Sequence, residues 1–287
     1  MITYIHDILS TQITSEIPWI HILFFGAIHG NEVCWPKALN EIMQDFESHK
    51  IELKSGKVTF VPICNKMAYD EGKRYIDVNL NRVIEKHENP WNYEESLANI
   101  LTGFIDDCDI LLDIHSTHSD DAPFIFLDSD YGYNVKLAKW LWVENIVVWW
   151  AQMYAGTHSP TTQFYANKNK KSWVTIECGN HNHTDSVAVA KNAILNTLMN
   201  FGLIDWKPQI LENFNEITVQ EFVIKQKEWK FIKEWNHLDF AHKWDIVAVY
   251  DYWEEVTMPY DWYILLPFSQ AKIWDEWIYF WKMWWIS

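Results

Sequence analysis

A chain of 287 residues can bury a full core and suits one large domain, or one large and one small. Its 39 acidic against 23 basic side chains give a formal net charge of −16, which counts against nucleic acid and anionic membrane as partners. Residues 1–18 lack a basic leader and the apolar run 20–28 is too short to span a bilayer, so the expected location is the cytoplasm.

Residues 19–26 read as a buried strand, a short apolar run closed by glycine. It leads into Gly26-Ala27-Ile28-His29-Gly30-Asn31-Glu32, and the apolar set Cys34, Ala38, Leu39, Ile42, Met43 and Phe46 then predicts a helix over 32–46. His29 and Glu32 would share one helical turn, a geometry suited to two metal ligands, although an H-x-x-E pair alone is more often a solvated helix start. A strand over 58–63 precedes a polar stretch, 64–90, with little periodicity; loops of that length in compact domains usually carry function. Asn92 and Glu95 stand in capping-box relation ahead of a helix that turns Leu97, Ile100, Leu101, Phe104 and Ile105 to one face.

A strand over 109–114 delivers His115 at its end. Two ligands close in sequence and a third far away, with one position left for water, is the pattern of a catalytic zinc site and not of a closed structural one. Strands over 123–127, 146–149 and 173–176 follow, and the last leads into Glu177, which reads either as a general base on a metal-activated water or as an ordinary strand-end carboxylate. His118, His181 and His183 read as loop or pocket-wall residues. A helix over 185–201 buries Val187, Ala190, Ile194 and Leu198 and is capped by Gly202. Strands alternating with helices predict an α/β layer fold with its ligands at strand C-terminal ends. Beyond residue 203 the pattern changes to short strands at 218–224, 245–250, 255–258, 263–266 and 278–282, so the expected division is a catalytic α/β domain over 1–205 and a small all-β domain over 206–287.

Three compositional features add to this. Cys34, Cys64, Cys108 and Cys178 are widely spaced inside apolar segments and read as buried free thiols. Arg74 and Arg82 are the only arginines among the 23 basic residues, which points to sites needing a planar fork, with carboxylate recognition the obvious task. The chain also has 19 tryptophans against 9 glycines, and after Gly202 there are eleven tryptophans and no glycine. Trp244, Trp253, Trp262 and Trp274 occupy turn-like places where residues tolerant of positive φ are expected. The bland reading is an aromatic-rich binding surface; the preferred one is that many of these positions are glycine in the native protein, encoded by UGA in a source that reads UGA as glycine. Trp35 and Trp173, beside the metal and base motifs, belong to the same group.

Taken in series, Gly26-x-x-His29-Gly30-Asn31-Glu32, Arg74-Tyr75-Ile76-Asp77, Asn79-Leu80-Asn81-Arg82, Asp113-Ile114-His115-Ser116-Thr117 and Glu177-x-Gly179 resemble the succinylglutamate desuccinylase and aspartoacylase family, relatives of the zinc carboxypeptidases. The match spans about two thirds of the chain. It implies a zinc-carboxypeptidase-like mixed sheet flanked by helices, and one Zn²⁺ per chain held by His29, Glu32 and His115. Glu177 is implied as general base and proton shuttle, Arg74 as the group that polarises the scissile carbonyl, and Asn81 and Arg82 as holders of a substrate carboxylate. Asn79 stands where the family usually has an aspartate bonded to a zinc-ligating histidine, and its carbonyl can still accept that bond while raising ligand basicity less. The expected activity is zinc-dependent hydrolysis of the amide bond of an N-acyl amino acid or similar small carboxylate. A metallocarboxypeptidase acting on peptide C-termini is the runner-up, and a catalytically idle zinc- or ligand-binding homologue the competitor from another class. A small-molecule carboxylate is the expected partner, and the sequence leaves a homo-oligomer open.

Overall fold

The computed structural model describes residues 2–5, 8–118, 122–128, 130–148, 160–205, 210–250, 254–269, 271–274 and 276–285. Along the chain, β1 (Ile2–Ile5), β2 (Ile8–Thr14) and β3 (His21–Gly26) lead into α1 (Cys34–Glu47). β4 (Lys57–Val61) is followed by the short α2 (Lys66–Asp70), a 3-10 turn at Leu80–Arg82 and α3 (Tyr93–Asp107). Then come β5 (Ile110–Thr117), β6 (Phe124–Phe126), α4 (Asn134–Trp140), β7 (Asn145–Val148), α5 (Thr162–Lys168), β8 (Ser172–Asn180) and α6 (Thr184–Asn200). The rest is strand: β9 (Asn215–Ile224), β10 (Lys230–Phe231), β11 (Phe240–Ala241), β12 (Ile246–Tyr250), β13 (Glu254–Thr257), β14 (Trp262–Leu265) and β15 (Glu276–Trp285).

The most apolar runs form the middle of one sheet, in the parallel order β4-β3-β5-β8. Every residue of β3 and β5 is buried, as expected of strands covered on both faces. Ile22 and Phe24 face a cluster completed by Leu39 and Ile42 of α1 and Ile194 and Leu198 of α6. Leu23 and Phe25 face the opposite cluster, with Leu97, Leu101 and Ile105 of α3. The mixed sheet flanked by helices is thus present, and a later β region follows it. That region is hydrogen-bonded into the same sheet: β9 pairs in parallel with β7 and antiparallel with β15, which carries β14 and β11, making twelve strands among the described residues. β10, β12 and β13 form a separate three-stranded sheet.

Several local expectations change. The helix begins at Cys34 and not at Glu32; His29 and Glu32 lie in a turn closed by the Glu32 amide donating to the His29 carbonyl at 3.1 Å. Gly30 explains this, because its amide donates to the Arg74 carbonyl at 3.1 Å and a Cβ on it would lie 2.1 Å from the Ala68 backbone, so the segment is pinned to the next loop instead of coiling. Residues 64–90 contain α2 and the 3-10 turn, and the polar, proline-containing stretch before β8, a candidate substrate loop by its composition, holds α5. β5 runs two residues past His115, and β8 extends over Glu177. β1, β2 and α4 had no sequence signal strong enough to be read. Beyond α6, Gly202 (φ +71) donates its amide to the Met199 carbonyl, the expected helix stop.

All four cysteines are free and buried. Of the tryptophans read as turn residues, Trp244 and Trp274 adopt φ +75 and +77. Trp142, which was not among them, adopts φ +64. Trp262 lies instead within β14, paired with Ala241, and Trp253 falls outside the described residues. Trp35 and Trp173 are buried, and their indole Nε1 atoms, like those of Trp229, Trp277 and Trp281, have no hydrogen-bond partner among the described residues.

Candidate metal and catalytic site

The C-terminal ends of β3, β5 and β8 lie side by side, and register places His115 across from Glu177. Ligands of open α/β sheets gather at this edge. The turn after β3 brings Glu32 back against it. His29 Nδ1 stands 2.6 Å from Glu32 Oε1, and His115 Nδ1 stands 3.0 Å from Glu32 Oε2. One ligand atom from each of these three residues lies within 4.8 Å of the others, and all three are buried. Two imidazoles and a carboxylate at that spacing suit a divalent cation such as Zn²⁺.

The opposite edge of each ring is anchored. His29 Nε2 is 3.1 Å from Asn79 Oδ1, the contact expected of Asn79, and His115 Nε2 is 3.0 Å from Asp113 Oδ2. Thr162 on α5 donates its hydroxyl to that same Asp113 oxygen at 2.5 Å. Such partners fix the rings with Nδ1 toward the shared centre. Burial works against charge on His115, yet Asp113 and Glu32 hold it well above the ordinary histidine range. Burial also opposes charge on Glu32, which His29 and His115 nevertheless keep well below the usual carboxylate range. Burial and Arg74 lower His29 to about 4. The negative field that favours a proton on His115 is the field that attracts a cation between the rings.

Arg74 approaches from the loop before Asn79, with Nη1 3.5 Å from Glu32 Oε1. That loop hangs on Glu94, a fully buried carboxylate at the start of α3. Its Oε1 accepts from Asn65 Nδ2 and the Ile76 amide at 3.1 and 2.7 Å, and its Oε2 from the Asp77 and Val78 amides at 3.1 and 3.3 Å. Asn81 Oδ1 accepts the Thr162 amide at 2.9 Å. Arg82 is gripped by this chain's own Glu276: Nε donates to Oε1 at 3.2 Å, Nη2 to Oε2 at 2.5 Å, and Nη1 goes to the Asn81 carbonyl at 2.8 Å.

Glu177 shares the cavity, of about 530 Å³, with the triad, both arginines, and side chains from the later β region that include Glu276 and Tyr279. Its Oε2 is shut from solvent and has no hydrogen-bond partner among the described residues. Burial pushes its carboxyl up to about 8, with the His115 charge pulling down and Glu32 pushing up. A carboxyl poised near neutrality beside a candidate metal site can take up and return a proton. His118 and His181 line the same region, in contact at 4.5 Å, and His181 Nδ1 lies 2.7 Å from Ser116 Oγ. Burial lowers both histidines, His181 to about 4.

Residues 18–199 match the succinylglutamate desuccinylase/aspartoacylase catalytic domain. The chain belongs to this family. Over 122 residues it is 34% identical to a probable aspartoacylase of Prochlorococcus marinus subsp. pastoris, a stretch covering 40% of this chain and 38% of that protein. The chain therefore aligns with less than half the length of the curated relatives it matches. Among solved structures, the ectoine utilization protein EutE (DoeB) of Ruegeria pomeroyi superposes with TM-score 0.77 at 19% identity, covering 98% of this chain and 92% of that one. A succinylglutamate desuccinylase/aspartoacylase from Rhodobacter sphaeroides gives 0.76 at 16% identity, covering 96% and 90%. At these identities the likeness is one of fold, and it extends through the later β region.

Within this desuccinylase/aspartoacylase fold the structure brings His29, Glu32, Arg74, Asn79, Asn81, Arg82, His115 and Glu177 to one cavity. Sequence reasoning missed Asp113, Thr162, Glu94, Glu276 and Tyr279. Asp113 could have been found two residues before His115 on the same strand face. Glu94 was hidden by its neighbour Glu95, which fills the capping-box role: its amide donates to Asn92 Oδ1 at 2.9 Å and its Oε1 accepts from Asn92 Nδ2 at 3.0 Å. Glu276 and Tyr279 carried no signal, because the pairing that brings β15 toward Arg82 is nonlocal.

Proposed function

We propose that the protein is a zinc-dependent deacylase that hydrolyses the amide bond of an N-acyl amino acid or similar small carboxylate. The observation that carries this reading is Glu177, a carboxyl pushed up to about 8 with one oxygen that has no hydrogen-bond partner among the described residues, in one cavity with the His29–Glu32–His115 cluster and Arg74. His29, Glu32 and His115 would hold one Zn²⁺, which when bound supplies Lewis-acid polarisation and a nucleophile at neutral pH. Glu177 takes the proton from the attacking water and returns it to the departing amine, as a carboxyl of near-neutral affinity can do in both directions. Arg74 presents its guanidinium to the oxygen that gains charge as the amide carbonyl becomes tetrahedral. Asn81 and Arg82 orient the substrate through its carboxylate, which shares the Arg82 guanidinium with Glu276. Purified protein loaded with zinc should release amine from acyl-amino acids. Glu177→Gln should retain zinc while kcat falls by about 10² to 10⁴, the usual contribution of positioned proton transfer; near-normal turnover in that variant would return Glu177 to a structural role.

A further inference from the structure

We infer that the substrate of this site carries a single carboxylate and an apolar group beside the scissile amide, and is not a dicarboxylate such as N-acetylaspartate or N-succinylglutamate. The inference rests on the deacylase reading and deepens it.

The first ground is the charge available. Among the described residues lining the cavity, the arginines are Arg74 and Arg82, against the carboxyls of Glu32, Glu177 and Glu276. Arg74 sits beside Glu32, at the place where charge develops in the reaction. Arg82 has each of its three nitrogens engaged by this chain, and Glu276 Oε2 is further fixed by the Tyr279 hydroxyl, which donates to it at 2.9 Å. One substrate carboxylate can share that guanidinium. A second would enter among carboxyls with no arginine of its own, and a desolvated charge without a partner is strongly disfavoured.

The second ground is what the later β region contributes. Phe222 and Ile224 of β9, with Leu266 and Phe268 after β14, line the same cavity. Phe268 stacks on His118 at 5.1 Å with the rings 8° from parallel, so this side is a flat aromatic surface held in place, not a loose side chain. Leu266 adopts φ +49 immediately before Pro267. A bulky residue is strained in that conformation, and residues so strained cluster at active sites and ligand clamps. Small-molecule sites recognise substrates with an apolar wall and a few placed polar groups. Here the polar groups are concentrated at the metal and the arginines.

The test compares N-acetyl-leucine, N-acetylphenylalanine, N-hexanoylglycine and N-acetylaspartate as substrates of the zinc-loaded full chain. At least one apolar monocarboxylate should exceed N-acetylaspartate in kcat/KM by tenfold or more, the discrimination expected of a hydrophobic pocket. N-acetyl-leucine against N-hexanoylglycine then tells whether the apolar group lies on the amine or the acyl side. Phe222→Ala should cut the preference to below threefold with zinc content unchanged, and Phe268→Ala repeats the measurement should Phe222→Ala fold poorly. N-acetylaspartate turned over as well as the apolar substrates, or a preference that survives both variants, would overturn the apolar wall and leave the deacylase reading standing. Hydrolysis of none of the four by zinc-loaded protein would overturn the deacylase reading, and this inference with it.

Discussion

Replacing Trp142, Trp244 and Trp274 by glycine should stabilise the protein. Each holds a left-handed backbone, φ +64, +75 and +77, which for a residue with a Cβ costs about 1–2 kcal/mol that glycine does not incur. Each side chain is largely in solvent, 52, 69 and 75% exposed, so little apolar burial is lost. Glycine gives back roughly 0.5–1 kcal/mol through the larger entropy of the unfolded chain. For Trp244 a further ~0.5 kcal/mol goes with the Lys243 ammonium, which sits 4.9 Å from the indole centroid. The net gain is then on the order of 0.5–1 kcal/mol at 142 and 274 and about 0–0.5 kcal/mol at 244, and roughly 1–2.5 kcal/mol for the triple variant if the sites act independently. Trp262→Gly is the control: that residue lies within β14, half-buried and paired with Ala241, so its truncation should destabilise by about 1–2 kcal/mol. Urea titrations of the three single variants, the triple variant and the control at one pH measure all of these. If the glycine variants at 142, 244 and 274 lose stability as Trp262→Gly does, backbone strain at these tryptophans is wrong. Codons give an independent reading, since the recoding hypothesis requires UGA at 244 and 274, and UGG there ends it. Trp274 also lines the cavity, so its glycine variant should admit bulkier substrates.

His115→Ala should release zinc while the fold persists, and metal retained at one per chain in that variant would place the site elsewhere. Arg82→Lys, which loses the two-point grip of Glu276, should mainly raise KM because a substrate carboxylate is equally charged in ground and transition states; Arg74→Lys should mainly lower kcat, and the reverse pattern would exchange their roles. Glu94→Ala strips the acceptor from three backbone amides and should destabilise by about 3 kcal/mol while lowering kcat through Arg74; normal denaturation and kinetics would show that the loop stands without it. In metal-free protein the Glu177 carboxyl, raised from 4.5 to about 8, favours folding while protonated, so its contribution is full below about pH 4.5 and is lost as pH rises through 8. Stability of the wild type relative to Glu177→Gln should fall across that window, and a flat difference would refute the raised value.

The central strands were legible from the sequence alone, because strands buried on both faces are mostly apolar and 19–26, 109–114 and 173–176 are, His21, Asp109, Asp113 and Thr175 apart. The sequence also determined the candidate ligands and base, because ligand chemistry confines such positions to histidine and carboxylates and these stand at or near the ends of those runs. Helix and turn were less secure: the i, i+3 spacing of His29 and Glu32 fits both, and only the contact of Gly30 with the Ala68 and Tyr69 backbone decided for the turn. Asn79 and Asp113 apart, the anchors of the site were not legible in the sequence. Glu94 serves a loop 16 to 18 residues earlier, Thr162 meets Asp113 across 49 residues, and Glu276 meets Arg82 across 194. Periodicity reports which face of an element is buried, not which distant element buries it. The tertiary structure alone hydrogen-bonded β9 and β15 into the main sheet, and so gave the cavity its apolar wall and a carboxylate on Arg82 from a region whose sequence reads only as short strands.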